Sequence, residues 1–97
     1  MIFLTSVIEL NGKKVIVANA FNIGEVEGAE FDPKTWQITH LQVKLNDDAT
    51  KQLGFKKPPL SHVTILLPVG TVKAVGDVVS LSNSIEELKG VVKLKQE

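Results

Sequence analysis

Side chains able to do chemistry are sparse in this chain and far apart. The histidines are His40 and His62, and each sits in a run of strand-forming residues. A nucleophilic centre needs a hydroxyl or thiol beside a base that an acid orients, and neither histidine has such a motif next to it. Both read as surface-facing strand residues. Cysteine is absent, which removes disulfides, thiol chemistry and cysteine-ligated metals. A metal ion could draw on His40, His62, Asp47 or Asp48, but none of these has a ligand spacing. The paired acids Asp47-Asp48 and Glu86-Glu87 fall where the first turn of a helix favours negative charge, so capping accounts for them. Gly24 and Gly28 do not build a phosphate loop, because no helix start follows and Glu25, Glu27 and Glu30 would repel an anion. The expectation is a protein with no catalytic residue, no metal and no cofactor, and not an enzyme.

Charge limits the partners. Eleven basic and eleven acidic residues cancel, so no net field steers the molecule toward nucleic acid or an anionic membrane. Every basic residue is lysine, and without the planar fork of arginine base-specific recognition is disfavoured. Lys51, Lys56 and Lys57 cluster around Phe55, a candidate partner loop but a poor stacking platform for nucleic acid. No stretch approaches the roughly 18 apolar residues of a membrane span, and the opening MIFLTSVIEL lacks the features of a secretory leader. Membrane insertion is not expected, and a cytoplasmic location is.

The elements that would hold these side chains are short strands. With 97 residues and 43% hydrophobic content the chain fits one domain. β-Branched clusters at 15–17, 63–65 and 78–79 alternate with Gly, Asn, Asp and Pro. Ser6-Val7-Ile8-Glu9 has capping-box spacing and predicts a helical turn stopped at Gly12; the competing reading is a hairpin turn at Asn11-Gly12. A second strand spans about 23–31, where Val26 and the pair Ala29 and Phe31 fall on opposite parities unless a bulge at Gly28 restores them to one face. Asp32-Pro33-Lys34-Thr35 is a turn, followed by Trp36, the chain's only tryptophan. Beyond it Thr39, Leu41, Val43 and Leu45 share one face, and Ile38, His40, Gln42 and Lys44 the other.

Asn46 or Asp47 predicts a helix cap and Gly54 its end, before the Pro58-Pro59 connection. Ile65-Leu66-Leu67 is apolar on both parities, so both faces of that strand need cover. The segment after Pro68 reads as a turn with Val69, Val72 and Val75 inward, returning at Gly76-Asp77 to a strand over 78–81. Asn83 or Ser84 then caps a helical turn holding Ile85 and Leu88, and VVKLKQE reads as a lysine-bearing edge strand.

LNGKKVIVANAFNIGEVEGAEFDPKTWQITHLQV, followed by ILLPVGTVKAVGDVVSL, resembles the two halves of a PRC-barrel domain. Gly12, Gly24, Val26, Asp32, Pro33, Pro68, Val75, Gly76 and Asp77 carry the likeness over roughly residues 5–82. Three departures stand out: 19–22 replaces an Asp-Gly turn, Trp36 takes the place of a glycine common after Asp-Pro-Lys-Thr, and the connection 46–61 is long. The long connection, the all-lysine composition and the short length are similar to single-domain PRC-barrel proteins of archaea. The resemblance implies a mainly β fold: a small β-barrel over 1–82 with one or two short helices in the connections and at the C-terminus, and with 83–97 packing on the barrel or on a partner subunit. It also implies a binding module without catalytic residues. Stand-alone archaeal members act as dimeric partners of the membrane adaptor that holds the division ring; other relatives imply the alternative of an RNA-processing or ribosome-assembly factor. The expected contact residues for a homodimer or protein partner are Phe3, Trp36, Ile38, Leu66, Ile85 and Leu88.

Overall fold

The computed structural model describes residues 6–56 and 61–95. Its first element is a helical turn, α1 (Val7–Leu10), held because the Ser6 hydroxyl accepts from the Glu9 amide at 3.1 Å. Gly12, at φ +83°, ends that turn and donates its amide to the Val26 carbonyl at 2.8 Å. The helical reading of this stretch therefore holds over the hairpin alternative.

Among the described residues seven strands follow: β1 (Lys14–Ile16), β2 (Asn22–Asp32), β3 (Gln37–Leu45), β4 (Thr64–Pro68), β5 (Val72–Val75), β6 (Val78–Leu81) and β7 (Lys93–Leu94). They form one mixed sheet in the order β5-β6-β1-β2-β3-β4-β7, with β1 and β6 parallel and the other pairs antiparallel. The fold is mainly β, with two further short helices, α2 (Asp47–Gln52) and α3 (Ile85–Leu88). A three-residue 3-10 turn, Val69–Thr71, links β4 to β5 and packs against β3. Through that short link the far end of the ladder returns beside β3, so the sheet wraps a single core. Its end strands β5 and β7 share no ladder among the described residues.

The core draws on both helical caps as well as on the strands. Val15, Ile23, Val43, Ile65, Leu67, Val79 and Leu88 are fully buried. Asn46 caps α2 by accepting from the Ala49 amide at 2.8 Å, and its own amide donates to the Asn22 carbonyl at 2.6 Å, tying the helix to β2. Ser84 and Glu87 form a reciprocal capping box on α3. Gly24 is required by packing: at φ +153° it lies so close to β3 that a Cβ would collide with the Lys44 carbonyl. Pro68 closes β4, and Gly76-Asp77 turns β5 into β6, pinned where the Lys13 ammonium donates to the Gly76 carbonyl at 2.6 Å.

Two register slips between β2 and β3 decide which of their side chains face inward. Between β2 and β3 the pairing moves from Val26↔Val43 to Gly28↔Gln42, leaving Glu27 as the extra residue. Val26 is thereby buried and Ala29 packs against the core, as a bulge at this place predicts, whereas Phe31, expected on the core face with them, lies beyond the end of the core and is exposed. The second slip lies between Glu30↔His40 and Phe31↔Ile38, where Thr39 is extra. It overturns the simple alternation expected of β3. Thr39 is exposed, and Ile38 comes to the side of Leu41. The 69–75 segment also differs from expectation: it contains the 3-10 turn and strand β5, Val72 packs against the core, and Val69 and Val75 are exposed at its rim instead of inward. A slip at Lys73 brings Val72 and Val75 to one face, opposite Leu81 and Val79.

Candidate interaction surface

Polar groups first. His40 lies half-buried on β3, with Nδ1 3.0 Å from the Thr39 hydroxyl. His62 is exposed and shares a shallow cleft with Glu25, Lys44, Asp47 and Asp48. Among the described residues no three His, Asp or Glu side chains come together as a metal-holding group, and no buried side-chain polar atom lacks a hydrogen-bond partner. No described helix is long and apolar enough to cross a membrane.

The β2–β3 hairpin exposes three large apolar side chains, Phe31, Trp36 and Ile38. Asp32 shapes its corner by accepting from the Lys34 amide at 2.8 Å through Oδ1 and from the Trp36 amide at 2.7 Å through its carbonyl. Pro33, between them, fixes its own φ for the turn. Closing the loop this way drives Trp36 to φ +61°, the left-handed region that bulky residues avoid. The indole then stacks on Phe31, with ring centroids 5.3 Å apart and planes 14° from parallel. Phe31 in turn pairs across the ladder with Ile38.

These three side chains extend the inner face of the sheet past the end of its core. Trp36 is 75% exposed, Phe31 52% and Ile38 36%, while across the gap Val69 and Val75 are 37% and 43% exposed. A groove of about 330 Å³, walled by Leu10, Ile38, Leu41, Val69, Val72 and Val75, runs between them. With aromatic side chains of roughly 150 to 250 Å² each, the exposed apolar area of this shelf is on the order of 500 Å², near the upper end for the largest patch on a monomer.

The other expected contact residues fall elsewhere. Leu66 points away from the core and is half-buried in a second groove, of about 690 Å³, with Glu30, Phe55, Lys93, Leu94 and Lys95. Strand β7, paired through Leu66↔Lys93, extends the sheet beside β4 and so forms one side of that groove. Ile85 and Leu88 are not available as contacts: at 3% and 0% exposure they belong to the chain's own core, because α3 turns its apolar side inward beneath the capping box. In the lysine loop, Lys51 and Lys56 are exposed, but Phe55 packs against the core and its amide donates to the Thr50 carbonyl at 3.0 Å. Phe3 and Lys57 lie outside the described residues.

Of the contact residues expected from the sequence, Trp36 and Ile38 therefore lie on this shelf; Phe31, Val69 and Val75, read from the sequence as inward-facing, are exposed beside them. The available signal was the placing of Phe31 and Ile38 on either side of the Asp-Pro-Lys-Thr corner, which invites a cross-strand pair. Comparison with protein-family models and with curated proteins gives no match.

Proposed function

We propose that this protein is a non-enzymatic protein-interaction module, an adaptor that works as a homodimer and meets its partners with its outer surface. One observation carries the reading. A tryptophan sits three-quarters exposed at a backbone conformation suited to glycine, stacked on an exposed phenylalanine beside an apolar groove. Left-handed backbone costs a bulky residue about 1 to 2 kcal/mol, and the Phe31 stack returns only about as much, so folding alone gives little reason for tryptophan there. Contact with another protein does give one, since tryptophan is among the side chains that dominate binding energy at interfaces.

The PRC-barrel likeness supports the same class of function and suggests, as a finer proposal, the membrane adaptor of an archaeal division ring as the partner. The test is a pull-down from native lysate with Trp36→Ala and Leu66→Lys variants in parallel. Recovery of a partner by the wild type and its loss with Trp36→Ala supports the reading. Recovery unchanged by both variants rejects it.

A further inference from the structure

We infer that two copies of this chain meet about a two-fold axis through the hairpin shelf, the Trp36 indole of each copy seated in the groove of the other between Ile38, Val69, Val72 and Val75. This rests on the homodimer reading above and adds the contact that makes it. A two-fold interface is isologous, so the knob and the hole it fills must lie on one patch of one chain. Here they do. The Phe31–Trp36 stack stands beside a groove of about 330 Å³, and Ile38 belongs to both, as the cross-strand partner of Phe31 and as a groove wall. Trp36 does not fill its own groove, because it is committed to the face of Phe31 and remains exposed.

Area and charge favour a second copy over a different partner. The shelf alone, on the order of 500 Å², supplies more than half of the roughly 800 Å² that each side of a standard interface contributes. Both signs flank it, with Lys34 exposed two residues from Trp36 and Asp77 exposed two residues from Val75. A partner of one charge sign gains nothing from such flanks, whereas an identical copy, turned about the axis, presents acids to lysines without net repulsion. A small domain also gains core by pairing.

Trp36 is the only tryptophan and the chain has no tyrosine, so its emission reports this contact alone. Emission and acrylamide quenching are followed from nanomolar to high micromolar protein, beside sedimentation velocity over the same range. The expected result is a blue shift and protection from quencher that track dimer formation. Val75→Arg, an exposed groove-wall change, weakens dimerisation at least tenfold and removes the shift; Lys93→Glu, on β7 away from the shelf, leaves both intact. A dimer whose tryptophan stays solvent-like, or a Val75→Arg variant that dimerises normally, overturns this contact while leaving the dimer standing. A monomer at every concentration overturns the contact and the homodimer reading together, and leaves the adaptor reading to the pull-down.

Discussion

At the scale of single residues, Trp36 and Gly24 make opposite claims about backbone. Gly24 has positive φ and no room, so Gly24→Ala must move β3 away from β2, a change expected to cost about 3 kcal/mol or more. Gly70 has open space and no such backbone constraint, and Gly70→Ala should stay within about 1 kcal/mol of wild type. Urea unfolding of both variants checks the contrast. At position 36 the backbone suits glycine but tryptophan is present. Trp36→Ala keeps the left-handed strain and loses the stack on Phe31, so it should be destabilised by about 1 kcal/mol. Trp36→Gly loses the same stack and relieves the strain, and should be more stable than the alanine variant by about 1 kcal/mol. If glycine proves the less stable of the two, the strain assigned to Trp36 is wrong.

At the scale of elements, α3 separates folding from contact. Leu88 is fully buried in the chain's core, so Leu88→Ala should cost 2 to 5 kcal/mol in chemical denaturation while leaving the association constant of the folded protein unchanged. Ser84→Ala, which removes one half of the capping box, should cost about 1 kcal/mol. A loss of association in folded Leu88→Ala would return α3 to the interface.

The strands also show what the amino-acid order discloses. Local signals narrowed the caps to Ser6, to Asn46 or Asp47 and to Asn83 or Ser84, of which the structure uses Ser6, Asn46 and Ser84, and marked the corner at Asp32-Pro33 and the bulge beside Gly28, because each depends on side chain and backbone within a few residues. The second slip, at Thr39, has no glycine to mark it; it is set by where the turn lets β3 re-enter the ladder. One unmarked residue moved Ile38 from the outer to the inner face and with it the whole candidate site. Strand β5 was hidden for a related reason. Its four residues pair only with β6, and their two valines share a face through another slip, so the segment lacks the alternation that announces a strand.

At the scale of the whole molecule, equal numbers of acids and lysines and a sheet packed around its own side chains are the setting in which the proposed contact through the outer surface is tested. The main rival is association with RNA. Counterion release would make such binding fall steeply with salt, whereas an apolar contact should weaken little as ionic strength rises. Filter binding against structured RNA should therefore show no tight, salt-sensitive complex, and finding one would favour the rival. The most direct measurement is sedimentation velocity of the wild type and Trp36→Gly side by side over rising concentration. The account predicts that the wild type self-associates in the micromolar range while Trp36→Gly, equally well folded, stays monomeric. A wild type that never associates, or a glycine variant that associates just as well, would contradict it.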